Sequence, residues 1–214
     1  MLVIVLAAAA TGFEIGRSNV TTTTSAVTTS SVSEQTWIAA WPRANGAAYA
    51  TPTAVAQAFT TQFLAMRAPI VGPFQRGDSR SGEVRVTPYV GGPETTVLVR
   101  QLPLSNVWWV LGSWTPDITI NQPRALATVG SQFVIAGEST AYEAVMNVTL
   151  WSDSLATPVL HTTVMGGSMG ARARFQKTLN VIGHPGPATL VMYLISAKDG
   201  SVVAASTSRF RLGA

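Results

Sequence analysis

His161 and His184 are the only histidines in this sequence, and no cysteine accompanies them. Acid–base or nucleophilic chemistry would need one of them beside a serine or a carboxylate. His161 lies mid-strand in a run of Thr and Val, and His184 sits in a Gly-His-Pro-Gly-Pro loop. No G-x-S-x-G elbow, H-E-x-x-H helix or phosphate-binding loop is present. Asp117, Glu138 and Asp153 are dispersed, whereas a calcium site needs clustered oxygens. Without cysteine neither disulfides nor thiolate metal sites can form. No enzyme, metal site or cofactor is expected. What remains is binding chemistry, carried by tryptophans and arginines. Trp108, Trp114, Arg172 and Arg174 are the candidate surface for a ligand or partner.

The elements that must position these residues follow from the patterning. Hydrophobic residues make up 47% of the 214 and charged residues 11%, enough apolar material to bury a core. The formal charge is +4, and all of the 14 cations except Lys177 and Lys198 are arginine. They form no dense basic stripe, so nucleic acid is not an expected partner. Residues 2–10 are an unbroken apolar run that suits a membrane anchor or signal segment over 1–16. A Ser/Thr-rich stretch over 17–35 reads as a stalk. That layout predicts a protein anchored in the membrane through its N-terminal segment, or exported, and displayed outside the cytoplasm on a bacterial surface.

Two modules are expected beyond the stalk, over 36–115 and 116–214. In the first, Thr51-Pro52 starts a helix whose apolar stripe is Val55, Phe59, Phe63 and Met66, stopped at Pro69. A glycine-rich link over 72–82 follows, containing Arg76-Gly77-Asp78 in the order of the integrin-binding tripeptide, a signal of little specificity. Strands are predicted over 83–89, 95–101 and 107–114, turned at Gly91-Gly92-Pro93 and Leu104-Ser105-Asn106. This is a small α+β module, one helix on a three-stranded antiparallel meander. In the third strand, period two puts Trp108, Val110 and Trp114 on one face and Val107, Trp109 and Leu111 on the other. The helix can cover one face, so the second must meet Trp37 and Trp41, the next module, or a ligand.

After Pro116 seven short strands are predicted, over 117–121, 132–137, 144–151, 158–165, 172–181, 188–196 and 202–212, broken by Gly, Pro, Asp or Ser. Met146, Val148 and Leu150 share a face, as do Ala173, Phe175 and Leu179, and Val202, Ala204, Phe210 and Leu212. Arg172, Arg174, Gln176, Arg209 and Arg211 lie opposite, where solvent is expected. The fold class is mainly β: an immunoglobulin-like β-sandwich preceded by the α+β module.

The segments Ile118-Thr-Ile-Asn-Gln-Pro123, Val129-Gly-Ser131, Phe133-Val-Ile-Ala-Gly137, Ala141-Tyr-Glu143 and Ser196-Ala-Lys-Asp-Gly200 carry a resemblance. In order and spacing they resemble the immunoglobulin-like domain associated with bacterial spore germination. The resemblance covers about 117–212 and implies an exported or membrane-anchored bacterial protein. Gln132, Tyr142 and the loop Gly166–Gly170 depart from the family's pattern. The expected function is a non-catalytic cell-envelope binding protein whose partner is an envelope protein or cell-wall polymer. The alternative is a carrier of a small apolar ligand or lipid in the α+β module.

Overall fold

The computed structural model describes residues 36–43, 46–103 and 106–213. The anchor or signal segment (1–16), the stalk (17–35) and Leu104-Ser105 of one expected turn lie outside the described residues. No helix among the described residues is long and apolar enough to cross a membrane.

The first module opens with α1 (Pro52–Ala58). Thr51 accepts the Ala54 N–H at 3.2 Å, and Pro52 occupies the first turn, where its missing N–H costs nothing. The helix then widens into one π-turn over Phe59–Phe63, closed by the Leu64 N–H on the Phe59 carbonyl at 3.0 Å. Val55, Phe59 and Phe63 are buried as the spacing predicts, but the helix ends at Phe63 rather than at Pro69, because Ala65 leaves helical geometry at φ 59°, and Met66, also buried, lies beyond it. They face an antiparallel sheet of β1 (Ile70–Arg76), β2 (Ser81–Thr87), β3 (Thr95–Gln101) and β4 (Trp108–Trp114), in that spatial order. The three expected strands are there, and a fourth precedes them: most of the expected link is strand β1. Gly72 and Pro73 disguise it, since the ladder to β2 breaks register between Val71 and Phe74. Proline is tolerated there because β1 is an edge strand. At the β1–β2 turn, the Asp78 carboxylate accepts the N–H groups of Arg80 and Ser81, both at 2.6 Å. Those bonds, Arg80's foremost, hold its carboxyl below the usual carboxylate range. The Arg-Gly-Asp acid is engaged in shaping its own hairpin.

The second module is a sandwich. One sheet runs β10 (Ala173–Asn180), β7 (Gln132–Ser139), β5 (Ile118–Gln122). The other runs β6 (Thr128–Val129), β12 (Val202–Leu212), β11 (Gly186–Ile195), β8 (Val145–Ser152), β9 (Leu160–Met165). The seven expected strands are present, with β6 as a short parallel addition to β12. Met146, Val148, Leu150, Phe175, Leu179, Phe210 and Leu212 form the interior, as alternation requires. Ala173, expected inside, is exposed at the end of β10.

The two modules share a core. Val191, Val202 and Ala205 of the sandwich join Val55, Phe59, Phe63, Val97 and Val110 in one apolar cluster. The Ser113 N–H donates to Thr207 Oγ1 at 2.7 Å, the Ala205 N–H to Thr95 Oγ1 at 3.2 Å, and the Thr115 N–H to Ser206 Oγ at 3.0 Å. Arg209, expected on a solvated face, is 4% exposed. It donates to the carbonyl of Trp37 at 2.7 Å and to Thr189 Oγ1 at 2.9 Å, and pairs with Asp153 through both terminal nitrogens. The first module covers that face of β12, which is why the arginine is buried.

Two outcomes follow. Urea unfolding monitored by tryptophan emission and by far-ultraviolet circular dichroism is expected to give one coincident transition, because the apolar cluster crosses the boundary. Asp153→Ala, which leaves a buried guanidinium without its counter-ion, is expected to lower stability by about 2–3 kcal/mol.

Candidate functional site

β4 carries the residues that could bind, and a bulge decides where they point. Val99 pairs with Val110 while the next residue back, Leu98, pairs with Gly112, so Leu111 is an extra residue in the ladder. Before the bulge, Trp108 and Val110 face the helix. After it the phase is inverted: Ser113 turns inward opposite Val97, and Trp114 turns outward opposite Thr96. The expectation that Trp108 and Trp114 share a face is corrected by this one residue. Trp108 is buried, with its ring edge-on to Phe74 at 5.2 Å between centroids, and offers no surface to a ligand. Trp114 is 46% exposed.

The second face of β4 is covered as well. Trp109 is half-buried in a cavity walled by Trp37, Ala39 and Pro42 of the N-terminal segment and by Asp153 and Pro187 of the sandwich. Trp41 takes a different place. It bridges Val110 along the edge of β4, exchanging backbone bonds at 3.2 and 2.7 Å, and packs its ring on Phe63.

Trp114 forms one wall of a cleft of about 280 Å³ at the seam between the modules, with Pro116, Thr119, Ile120, Ala125 and Thr207 around it. No ring or cation packs on its indole among the described residues, so the ring is available to a ligand. Most hydroxyls beneath are committed. Ser113 Oγ donates to the Ala205 carbonyl at 3.2 Å, Ser206 Oγ to Ile118 at 2.7 Å, and Ser208 Oγ to Pro123 at 2.9 Å. Those bonds hold the floor in place. Thr207 Oγ1 accepts one N–H and keeps its own proton to donate, and Thr119 is exposed at the rim.

Arg172 reaches the edge of this cleft, and Arg174 lies two strands away from its rim. Arg172 spends one of its five N–H donors on the carbonyl of Pro116, two residues from Trp114. Arg174 sits one rung along the outer face of the three-stranded sheet, where Arg174, Glu138 and Thr119 are successive cross-strand partners. Its guanidinium is 3.6 Å from Glu138 and 91% exposed. Two of the four expected residues, Trp114 and Arg172, therefore meet at the seam; Arg174 lies two strands away on the outer face of the sheet, and Trp108 is core. Thr119 and Thr207 join the two at the seam. Their only sequence signal was outward alternation, which many polar residues share.

The order of strands, the two sheets and the turn at Asp199-Gly200, with Gly200 at φ 69°, are those of a two-sheet sandwich. Residues 117–201 match the immunoglobulin-like domain of bacterial spore germination. Among the curated proteins nothing matches the chain. The germination-type domain thus supplies the sandwich half of the seam: Ile118, Thr119 and Ile120 of the cleft, together with Arg172 and Arg174, all lie within the matched residues. Thr207 and the rest of β12 lie beyond them, and Trp114 comes from the module before.

Trp114→Ala is expected to change unfolding free energy by less than about 1 kcal/mol, since the ring is half in solvent. Trp108→Ala is expected to cost about 3–5 kcal/mol. Chemical denaturation of the two variants checks the contrast.

Proposed function

We propose that this chain is a non-catalytic binding module displayed outside the cytoplasm, and that its seam cleft takes an anionic glycan of the bacterial envelope. The observation that carries this reading is the free indole of Trp114 beside Arg172. A sugar ring has an apolar face suited to an aromatic wall and polar edges suited to hydroxyl and guanidinium donors. Thr119, Thr207 and Arg172 supply those donors. Arg172 and Arg174 against Glu138 leave a local excess of one positive charge, which favours an acidic polymer and weakens as salt is added. An immunoglobulin-like scaffold suits this role, because rigid sheets hold side chains in place without moving parts. The apolar 2–10 run and the Ser/Thr-rich 17–35 stretch support attachment and display at the cell surface. The matched family supports a link to wall processes such as germination.

Calorimetric titration of the full chain with carboxylate-bearing cell-wall fragments tests it. Trp114→Ala is expected to weaken binding by about 10–30-fold, the loss of a buried apolar side chain. Arg172→Gln is expected to cost several-fold and to reduce the salt dependence. Equal affinity of Trp114→Ala and the unaltered chain would overturn the proposal.

A second reading, an envelope protein as partner, is favoured by a separate observation. Tyr142, Val145, Met165 and Met169 are exposed together at one end of the sandwich. Val145 pairs with Met165, and the Met169 N–H donates to the Tyr142 carbonyl at 3.0 Å. Clustered exposed apolar side chains of this kind mark protein contacts. Met165→Asp with Met169→Asp is expected to abolish cross-linking to an envelope protein while leaving glycan binding intact.

A further inference from the structure

The first module covers the outer face of the five-stranded sheet over β11 and β12, through Val191, Val202 and Ala205. The cover then stops. After Phe63 and Leu64 the chain turns away, with Ala65 at φ 59°. On β8 and β9 the sheet stays open, and the step between helix end and open sheet is a cleft of about 310 Å³. Its walls are mainly Phe63, Leu64, Trp151, Val191 and Tyr193, with Thr149 and His161 on the open side. It differs from the Trp114 cleft in place and in chemistry.

Two features define what would fit. The aromatic rings here are already occupied. Phe63 has Phe59, Trp41 and Trp151 around it at 5.4, 5.7 and 5.3 Å between centroids. Arg43 lies over the Trp151 ring at 5.2 Å, fixed from behind by the carbonyls of Ser152 and Leu155. Phe63 is enclosed by three rings and Arg43 covers one face of Trp151, which leaves little flat aromatic surface in these walls. The second feature is a polar pair on β8 and β9. Thr149 and His161 are cross-strand partners, and Thr149 Oγ1 lies 3.1 Å from His161 Nδ1. That contact fixes the imidazole and leaves Nε2, on an exposed side chain, as its free polar atom. An apolar slot with a hydrogen-bonding pair at its mouth is the form of a small-ligand site at a module boundary.

We propose that this step cleft binds one medium-length aliphatic chain, with its terminal carboxyl or hydroxyl on His161 Nε2. The ligand is a soluble single-chain amphiphile. This proposal is independent of the glycan reading, because none of its residues lines the Trp114 cleft.

Titration calorimetry of the full chain with hexanoate, octanoate and decanoate below their micelle concentrations tests it. Affinity is expected to rise by up to roughly fourfold for each methylene buried, until the slot is filled. His161→Ala is expected to lower decanoate affinity about fivefold, and octanol is expected to bind by the same His161-dependent contact. Pro158→Trp, an exposed position on the rim, is expected to block the slot and abolish binding. Both altered side chains lie in solvent, and the circular dichroism of each variant is expected to match the parent. Absence of binding by all three acids would overturn the proposal, as would affinity independent of chain length. Binding unchanged in Pro158→Trp or in His161→Ala would do the same. Recruitment to phosphatidylcholine vesicles without any affinity for the soluble acids would also overturn it, since that would make the ligand a bilayer surface.

Discussion

The burial of one face of β12 against the first module is the constraint from which the rest of the molecule follows. On that face Ala205 and Thr207 are small enough to let two backbones come close, and Thr207 Oγ1 and Thr95 Oγ1 accept backbone N–H groups that the approach removes from water. Arg209 is the exception in size and charge. A guanidinium taken out of solvent is tolerated only when its donors are met, and here Asp153, Thr189 and the Trp37 carbonyl meet them. Asp153 belongs to the β8 end of the same sheet and Trp37 to the N-terminal segment. One buried cation thereby ties the start of the described chain to its last strand.

Because that interface is packed and hydrogen-bonded only over part of the sheet, its margins form clefts. Where the modules meet at β4 and β5, the cover leaves an indole in the open near Arg172. Where the helix stops short of β8 and β9, it leaves an apolar step with a histidine at the mouth. Neither cleft belongs to one module. The matched germination-type domain provides sheet surface for both, and the segment before residue 117 provides Trp114 to one and Phe63 and Leu64 to the other. Both clefts arise from the pairing of modules as much as from the sandwich itself.

Much of this was legible in the residues. Thr51-Pro52 announced the helix, and breaks at Gly, Pro, Asp or Ser marked the seven strands of the sandwich, with period-two alternation supporting three of them; β11 and β12 are buried on both faces, which alternation alone does not show. The misreadings have specific causes. Strand β1 was hidden by Gly72 and Pro73, which signal a loop anywhere except at a bulged edge. Arg209 and Arg211 alternate identically on β12. Burial of the first depends on a surface more than ninety residues away, which local pattern cannot carry, whereas Arg211 lies over the Trp37 ring at 4.3 Å. Trp114 and Arg172 were chosen by residue type, and their proximity came from the seam. Trp108 was chosen on the same grounds and proved to be core, since a tryptophan on an apolar strand suits either place.

The extra residue at Leu111 bears on how such a protein could change. An indel at that single position would rotate everything after it by half a turn of the pleat. A hydroxyl would then face water and an indole would face β12. Point substitutions can adjust the strength of the seam cleft, but its very existence depends on the length of β4. Lineages that gained or lost one residue here would differ abruptly in what they hold, with little change elsewhere in composition.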